Sequence, residues 1–499
     1  MIFSVDLSSL LQSAQLPCPP ALLDRRVERL VTDSRQCQGG DLFIGLPGTK
    51  VDGGEFALQA LRQGAVACVV NASYQGRFQD ERIIFSPDVV GDCAQLANAF
   101  YDYPSRSLTL IGVTGTNGKT TTTHLIEHIL HYDREQFQPA LFGTLYTRWQ
   151  GFSQIASHTT PFAVELQSQL RQAVDNGCKT AVMEVSSHAL AQRRVWGCPF
   201  QVAVFTNLTQ DHLDFHGTLE NYFQAKSLLF SPEYLTGRAI VNWDDNYGKR
   251  LTIMLDKRQA LLWTYSIHNQ LTDIYLREVE YGAEGFTAQL HTPAGDCALR
   301  SPLVGKFNVS NVLSAVGAAL HLGMPLDTIV KAVEEFTGVP GRMQKVQVSA
   351  EQDITVVVDY AHTPDSLENV LKALRPFTQN RLICVFGCGG DRDRTKRPIM
   401  GEIAHRLADV VYLTSDNPRT EDPAQILADI ASGIHDHHSS VQVIIDRRTC
   451  IHEAISHAQA GDTVLLAGKG HEDYQIIGTT KIPFDDRHEA ELALKARLI

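Results

Sequence analysis

The sequence of 499 residues predicts an α/β protein of three domains, and three observations support that prediction. The length exceeds what one hydrophobic core ordinarily supports, since domains average about 150 residues. The composition, 43% hydrophobic and 20% charged, is typical of a globular protein. Short apolar runs alternate with amphipathic segments along most of the chain, a pattern that favours parallel sheets with helices between the strands.

The first segment, residues 1–104, predicts a small α/β domain. An apolar strand at 42–46 lies between glycine-rich turns, a helical stretch follows around 56–61, and a second strand follows at 67–70. The turn-rich stretch 101–105 separates this domain from the next one. Composition alone indicates a scaffold here, in which Ser34 and Lys50 would be ordinary surface residues.

The second segment, residues 105–338, contains the most specific motif of the chain. An apolar strand at 108–111 leads into a glycine-rich turn that ends in Gly118, Lys119 and Thr120, and an amphipathic helix follows. The motif is G-x-x-G-x-x-G-K-T instead of the strict Walker A pattern, because Val113 stands where that pattern has glycine. Glycines allow the backbone to approach a phosphate, and helix N–H groups and a lysine bind it. The sequence therefore predicts a P-loop domain that binds a mononucleotide.

Two more strands of this domain end in polar groups. The stretches 180–188 and 202–212 each read as a buried strand that ends in polar groups, and Glu184 and His212 both fall just past a strand end. The carboxyl ends of parallel strands meet at one edge of a sheet, so both side chains are candidates for a ligand site. An acid at a strand end is more often a cap or an ion-pair partner. The P-loop in the same sheet favours Glu184 as a magnesium ligand, since magnesium prefers oxygen.

The third segment, residues 339–499, repeats this alternation. Strands at 354–358, 381–386, 410–414 and 463–467 each lead into a charged or glycine-rich loop. This pattern predicts a Rossmann-like domain whose loops face a ligand at one sheet edge. The basic loop around Arg392 is also compatible with a solvated surface, and the turn 416–419 with a simple helix start. An arginine in such a turn can bind a carboxylate through two parallel hydrogen bonds.

Charge and cysteine content exclude several classes of protein. The net charge is −12 without a block of Lys or Arg, so nucleic acid is not expected as the main partner. The ten cysteines contain no repeated C-x-x-C, which argues against a zinc site and a disulfide framework. The N-terminus lacks the pattern of a signal peptide, and no apolar run is long enough to span a membrane. We expect a cytoplasmic protein without a membrane span, and a monomer.

Taken together, the motifs of the chain resemble those of the Mur ligases, the ATP-dependent amide-forming enzymes of bacterial peptidoglycan synthesis. The resemblance covers essentially the whole chain and rests on residues 115–120, 184–190, 207–214, 341–343 and 359–364. It implies a ligase of cell-wall biogenesis, and hence of cell shape and division, that uses ATP and Mg²⁺. It also implies a UDP-sugar-binding domain at 1–104, an ATP-binding domain at 105–338 and an amino-acid-binding domain at 339–499.

The resemblance assigns expected roles to individual residues. The ATP-binding residues would be Gly115, Thr116, Asn117, Gly118, Lys119, Thr120, Thr121, Asn308, Asn311, Arg342 and His362. The nucleotide-sugar peptide would be held by Ser34, Thr49, Lys50, Val51, Thr159, Thr160, Ser186, Gln192 and Arg194. The amino acid would be held by Arg392, Asp416, Asn417, Pro418, Arg419, Gly468 and Glu472.

A further set would perform the chemistry. The resemblance implies catalytic roles for Lys119, Glu184, His212 and Lys226, and magnesium ligation by Thr120, Glu184, His212 and Lys226. Lys226 would otherwise pass for an ordinary helical lysine. It matches the lysine that members of the family carbamylate, and the carbamate would turn a cation into an anion able to help position magnesium.

The turn 416–419 indicates the substrate within the family. It resembles the motif of the members that add meso-2,6-diaminopimelate to UDP-N-acetylmuramoyl-L-alanyl-D-glutamate, whereas lysine-adding relatives depart from it at the arginine. The nearest alternatives are a ligase for another amino acid and a folylpolyglutamate-type enzyme with the same ATP loop. A nucleotide switch or motor would need only the P-loop, and it would leave Lys226, Arg419 and Glu472 without a role.

Overall fold

A computed structural model describes residues 4–48, 51–435 and 440–498 of the chain. Contacts between residues divide the chain into two compact units. The first contains Met1–Thr114, Asp133–Val204 and Ala225–Ala239, and the second contains Gly115–Tyr132, Phe205–Gln224 and Ile240–Ile499. The division into three domains at residues 104 and 338 stays a prediction.

The regular elements alternate between strands and helices along the chain, which confirms the predicted α/β class. The N-terminal elements are β1 (Val5–Asp6), α1 (Leu7–Ser13), β2 (Arg26–Val27), β3 (Arg29–Val31), β4 (Asp41–Ile44), α2 (Ala57–Arg62), β5 (Ala67–Asn71), β6 (Ile83–Ser86) and α3 (Val89–Phe100).

The elements between residues 105 and 338 begin with the strand that precedes the P-loop. They are β7 (Thr109–Thr114), α4 (Lys119–Leu130), α5 (Arg134–Phe137), β8 (Pro139–Phe142), β9 (Tyr146–Trp149), β10 (Phe152–Ile155), α6 (Ala163–Asp175), β11 (Thr180–Glu184), α7 (Ser187–Ala191), β12 (Phe200–Phe205), α8 (Leu213–His216), α9 (Leu219–Ser227), β13 (Leu235–Asn242), α10 (Asn246–Asp256), β14 (Leu262–Ser266), β15 (Ile274–Gly282), β16 (Gly285–Thr292), β17 (Gly295–Ser301), α11 (Lys306–His321) and α12 (Leu326–Glu335).

The remaining elements form the C-terminal part of the chain. They are β18 (Gln344–Val346), β19 (Thr355–Asp359), α13 (Pro364–Leu374), β20 (Leu382–Phe386), α14 (Lys396–Leu407), β21 (Val410–Leu413), α15 (Pro423–Ala431), β22 (Val441–Val443), α16 (Arg447–Ser456), β23 (Thr463–Ala467), β24 (Tyr474–Ile477), β25 (Thr480–Pro483) and α17 (Asp486–Arg497).

The first unit holds the short antiparallel pair β1-β2 and strands of two larger sheets. One is the parallel sheet β3-β4-β5-β6, whose strands are apolar at successive positions because both faces are covered. In the other, the strands of this unit run in the order β10-β9-β8-β11-β7-β12-β13. Strand β11 is parallel to both β7 and β8, and Glu184 is paired in register with Val113. The carboxyl end of β11 therefore places Glu184 at a sheet edge, as the sequence predicted.

The second unit contains helix α4 packed against α11 and α12, the strands β14 to β17 in consecutive order, and a six-stranded sheet. The six strands run in the order β18-β19-β23-β20-β21-β22, and only β18 is antiparallel to its neighbour. Apolar cores lie on both faces of this sheet. The carboxyl ends of β19, β23, β20 and β21 are adjacent, so the four loops predicted to face a ligand meet at one edge.

Candidate functional site

The P-loop needs glycine at two positions for steric reasons. A Cβ at Gly115 would lie 1.9 Å from the Thr206 hydroxyl oxygen, and one at Gly118 would lie 2.4 Å from Asn311 Oδ1. Gly118 also has φ +85°, a backbone conformation that other residues rarely adopt. Helix α4 starts directly after it, so the helix N-terminus is directed at the loop, as phosphate binding requires.

At the loop, the groups suited to a phosphate site are Lys119, Thr120 and Arg342, an arginine distant in sequence. Lys119 Nζ donates hydrogen bonds to the carbonyl oxygens of Gly115 (2.9 Å) and Thr116 (2.8 Å). Arg342 Nη2 donates to Thr120 Oγ1 at 3.1 Å, and its guanidinium stacks over the Tyr360 ring at 4.5 Å. Two cations thus lie at the loop where a polyphosphate is expected.

A cavity of about 410 Å³ lies beside this loop within the second unit. Six of the predicted ATP-binding residues line it: Asn117, Gly118, Thr121, Asn311, Arg342 and His362. Asn308 contacts one of these lining residues, since its Oδ1 accepts a hydrogen bond from Asn311 Nδ2 at 3.1 Å. The structure therefore brings the predicted nucleotide residues together at the loop and the cavity beside it.

The P-loop is also tied to the C-terminal segment. Asn117 Nδ2 donates to Asp365 Oδ2 at 2.8 Å, and the Asn117 backbone N–H donates to Asn207 Oδ1 at 2.9 Å. Burial raises the pKa of Asp365 above its ordinary value, and the bond from Asn117 opposes that shift. Asp365 lies in the first turn of α13, so this bond connects the loop directly to the third predicted domain.

His212 belongs to a cluster of charged residues in the second unit. Its Nε2 lies 3.4 Å from Asp211 Oδ2, and His362 Nε2 lies 3.8 Å from the same oxygen. Burial opposes ionisation of Asp211, but His212, His362 and Lys396 hold the pKa of Asp211 below its usual range. Burial and Lys396 lower the pKa of His362. Asp211 therefore carries the negative charge of this cluster.

Glu184 is the centre of a polar network in the first unit. The side chain is fully buried, and its two carboxylate oxygens accept hydrogen bonds from Thr144, from the backbone N–H at 2.8 Å and from the hydroxyl at 3.0 Å. The Thr144 hydroxyl also lies 3.2 Å from Thr159 Oγ1. A Cβ at Gly143 would come within 2.6 Å of Glu184 Oε1, so the glycine leaves space beside the carboxylate.

The predicted peptide-binding residues lie around the same strand end. Thr160 Oγ1 donates to the Glu184 carbonyl oxygen at 2.7 Å and accepts from the Ser186 backbone N–H at 3.1 Å. Arg194 Nη1 donates to the Thr160 carbonyl at 2.8 Å, and Arg194 Nη2 donates to Gln192 Oε1 at 2.7 Å. Burial lowers the pKa of Arg194 to about 10. These five residues form one connected hydrogen-bond network, most of which is buried.

Other predicted residues lie elsewhere in the first unit. Ser34 is buried in the turn Ser34–Gln36, and Val51 is exposed. Thr49 and Lys50 lie outside the described residues. Lys226, near the C-terminal end of α9, is 1% exposed, which is unusual for a lysine and fits a side chain with a specific role.

The predicted amino-acid residues meet at the carboxyl edge of the six-stranded sheet. Asn417 Nδ2 donates to Glu472 Oε2 at 2.9 Å. A Cβ at Gly468 would lie 2.8 Å from Asp416 Oδ2, so this glycine permits the close approach of the two loops. Burial and Asp416 raise the pKa of Glu472, and Lys469 opposes that shift.

Arg419 lies at the border of the same group. Its Nη1 donates to the Gly390 carbonyl at 2.8 Å, and its backbone N–H donates to the Ile476 carbonyl at 3.0 Å. The carbonyl of buried Pro418 would lie 1.9 Å from a Cβ at Gly390. Arg392 is exposed on the neighbouring loop, where its Nη1 donates to the adjacent Asp391 carbonyl at 3.0 Å.

The sequence reasoning missed several residues of these clusters. Thr144 follows the end of β8, and Lys469 follows the end of β23, so the strand-end argument that selected Glu184 could have found both. Asp365 gave no such signal, because it lies in the first turn of a helix where acids are common.

Two further observations concern the described part of the chain as a whole. Among those residues, no helix combines the length and apolarity that crossing a membrane requires. Likewise, no group of three or more His, Cys, Asp or Glu side chains in that part of the chain is arranged to hold a metal ion.

Comparisons with known proteins show which family the chain resembles. Three family models match: the Mur ligase family, catalytic domain, over residues 26–101, the Mur ligase middle domain over 113–319, and the Mur ligase, glutamate ligase domain, over 341–470.

Similar proteins match over nearly the full length. A UDP-N-acetylmuramoyl-L-alanyl-D-glutamate–2,6-diaminopimelate ligase of Trichormus variabilis is 59% identical over 484 residues, 96% of each chain. The protein of the same name from Thermosynechococcus vestitus is 57% identical over 476 residues, 95% of each chain. A solved structure of a ligase with this name is 37% identical, with a TM-score of 0.68, and the match covers 98% of this chain and 99% of that one.

Proposed function

The chain belongs to the Mur ligase family, and on this premise we propose that it joins meso-2,6-diaminopimelate to the D-glutamate of UDP-N-acetylmuramoyl-L-alanyl-D-glutamate. ATP is converted to ADP and phosphate in the same reaction, which serves peptidoglycan precursor synthesis. One observation supports the choice of amino acid above all: Asn417 and Arg419 lie on one turn at the sheet edge, and Glu472 is hydrogen-bonded to Asn417 across it.

The reaction needs ATP because a carboxylate is a poor electrophile. An oxygen of the D-glutamate γ-carboxylate attacks the γ-phosphorus of ATP, the bond to the β-phosphate oxygen breaks, and ADP leaves. The amine of diaminopimelate then attacks the carbonyl carbon of the acyl phosphate, the bond between this carbon and the phosphate oxygen breaks, phosphate leaves, and the amine proton passes to water. Two anions repel each other in the first step, so the protein contributes mainly positioning and positive charge.

The second unit provides these contributions for the nucleotide. Lys119, the N–H groups at the start of α4 and Arg342 would hold the phosphates, and the neighbouring cavity would take the nucleoside. The hydrogen bonds from Lys119 Nζ to the loop carbonyls keep the ammonium group at the loop. Asp211 would hold the His212 ring in place, since Asp211 Oδ2 lies 3.4 Å from His212 Nε2.

The donor set of the chain fits a magnesium ion. Magnesium is usually held by one or two carboxylates together with substrate phosphates and water, so a cage of protein side chains is not required. In the first unit, Glu184 offers a carboxylate with space beside it at Gly143, and carbamylated Lys226 would add a second anion. In the second unit, Thr120 and His212 are the candidates. When bound, the metal would withdraw negative charge from the phosphate oxygens.

The remaining roles follow the predicted three domains. We assign residues 1–104 to the uridine nucleotide, with Ser34 and the segment 49–51 as contacts. The hydrogen-bond network around Thr160 and Arg194 would bind the peptide stem, since it combines a buried guanidinium with hydroxyl groups. At the carboxyl edge of the six-stranded sheet, Arg419 and Arg392 would bind a carboxylate of diaminopimelate. Glu472 would bind its ammonium group.

The experiment is an assay of ADP and phosphate release by the purified chain. We expect release only when ATP, the UDP-muramoyl dipeptide and diaminopimelate are all present, with one amide formed per ADP. The assay is repeated with L-lysine at the same concentrations, and we expect a reaction slower by at least about two decades, because Arg419 then lacks its carboxylate partner.

Two results would contradict the proposal in different ways. Equal rates with lysine and diaminopimelate would overturn the amino-acid assignment but leave the ligase chemistry intact. Phosphate release with ATP alone would favour a nucleotide switch, which forms no covalent product.

A further inference from the structure

Lys469 is a fully buried lysine at the centre of the amino-acid site, and the reaction described above gives it no role. Its Nζ donates to Glu472 Oε2 at 2.8 Å and to Asn417 Oδ1 at 3.3 Å, and it lies 5.4 Å from the Tyr474 ring centroid. Lysine is rarely fully buried unless it is paired. Both of its partners belong to the predicted contacts of diaminopimelate.

The hydrogen bonds determine which way the Asn417 amide points. Asn417 Oδ1 accepts from Lys469 Nζ and also from the Ile476 backbone N–H at 2.9 Å, so two donors face this atom. An amide oxygen can accept both bonds, whereas an amide nitrogen cannot. Asn417 Nδ2 must therefore point to Glu472 Oε2, as observed at 2.9 Å.

The charge of Lys469 has a second effect. Asp416 and Glu472 are both largely buried and repel each other, which favours the neutral form of Glu472. Lys469 offsets one of these two negative charges. With Glu472 ionised, the three side chains Asp416, Glu472 and Lys469 together carry a net negative charge, which suits the ammonium group of an amino acid.

We propose that Lys469 is a positioning residue of the amino-acid site, which holds Asn417 and Glu472 in the orientation that receives the substrate ammonium group. Lys469 itself touches no reacting atom. The inference rests on the proposed function. A purely structural lysine would instead hold the loop 468–476 together and affect every property of the enzyme alike.

The test compares Lys469→Met with Lys481→Met in steady-state kinetics. Lys481 is an exposed matched control, because its Nζ contacts the same Tyr474 ring, 3.6 Å from the centroid. We expect K469M to raise the KM for diaminopimelate about tenfold or more, with the KM for ATP changed less than about twofold. K481M should change neither constant.

A double-mutant cycle separates positioning from folding. The single variant K469M leaves Glu472 buried without its cation and can lose stability, whereas K469M/E472Q removes both charges together. We expect the double variant to keep the native circular dichroism spectrum and to raise the KM for diaminopimelate by less than the product of the two single effects, because Lys469 acts through Glu472.

Three results would overturn the inference. In the first, K469M and E472Q raise the KM for diaminopimelate by factors that simply multiply in the double variant. In the second, K469M raises the KM values for ATP and diaminopimelate equally. In the third, K481M raises the KM for diaminopimelate as much as K469M does. In each case the wild-type chain still consumes diaminopimelate. A wild-type chain without diaminopimelate-dependent ADP release would instead overturn the proposed function, and the inference with it.

Discussion

Arg419 combines a charged side chain with a strained backbone. Its φ is +51°, a left-handed conformation that costs roughly 1 kcal/mol for a residue other than glycine. The conformation is maintained by hydrogen bonds from the Arg419 N–H to the Ile476 carbonyl and from the Gly478 N–H to the Arg419 carbonyl. Strain that the surroundings enforce is common at ligand sites, and here it directs the guanidinium toward Gly389 and Gly390.

This geometry predicts a selective defect for Arg419→Ala. Charge-assisted hydrogen bonds contribute about 1.5–3 kcal/mol each, so the loss of two would lower kcat/KM for diaminopimelate by about two to four decades. The affinity for ATP, measured by calorimetric titration, should stay unchanged. Arg406→Ala is the control, because Arg406 is an exposed arginine of the same C-terminal segment and pairs with Glu368. Equal losses for both substrates would remove Arg419 from the amino-acid site.

Glu472 predicts a pH dependence of amino-acid binding. Burial and Asp416 raise its pKa, against the effect of Lys469, and Tyr360 and Tyr474 are its other titratable neighbours. The carboxylate must be ionised to bind an ammonium group. A raised pKa means that protonation begins at a higher pH than for an exposed glutamate, so the KM for diaminopimelate should rise as the pH falls from about 8 to about 5. Glu472→Gln should abolish this slope, and a slope that persists in the variant would assign it to another group.

Residue types predicted some members of the site and not others. A carboxylate at a strand end is more often a cap or an ion-pair partner, and Glu184 was predicted because a P-loop lies in the same sheet. Thr144, which binds both oxygens of Glu184, was missed because threonine is common in strands and turns. Lys226 could be selected only through the resemblance to a family, and its burial is a property that no local pattern encodes.

At the scale of elements, the P-loop is the part that the sequence predicted best. Strand, glycine turn and helix follow one another in the predicted order, but β7 continues to Thr114, three residues beyond the predicted strand 108–111, and α4 begins at Lys119. The reason is local, because glycine spacing and helical periodicity both act over a few residues. The hairpin of β24 and β25 was not predicted. Its contacts with the turn 416–419 join positions about 60 residues apart, which periodicity cannot detect.

The P-loop allows a steric prediction for Gly118→Ala. The added Cβ would lie 2.4 Å from Asn311 Oδ1, and the alanine backbone would be strained at φ +85°. Gly151→Ala is a matched control, since Gly151 has φ +81° and no atom within 4 Å of the added Cβ. Both variants should lose about 1 kcal/mol of stability from the backbone alone, but only G118A should lose ADP binding in calorimetric titration. Normal ADP binding by G118A would contradict the assigned role of the loop.

At the scale of the whole molecule, one topological rule explains where the polar residues meet. Parallel strands end at one edge of a sheet, so Glu184 in one sheet and the residues after β19, β20, β21 and β23 in another were predicted to face ligands. The rule predicts which residues lie at the edge, but it does not predict which of them contact each other. The bond between Asn117 and Asp365 joins segments 248 residues apart, and it depends on the packing of the complete second unit.

The predicted boundary at residue 338 can be tested with the C-terminal segment alone. The two cores on the faces of the six-stranded sheet consist of buried residues from Val346 to Leu494, so the segment contains nearly all its own apolar packing. We therefore expect residues 339–499 to fold independently and to unfold cooperatively in urea, as monitored by circular dichroism and amide hydrogen exchange. Leu465→Ala, at a fully buried position in the centre of the sheet, should lower the free energy of unfolding of this segment by about 2–5 kcal/mol. A segment without a cooperative transition, or one that does not respond to this substitution, would show that the boundary at residue 338 does not delimit a domain.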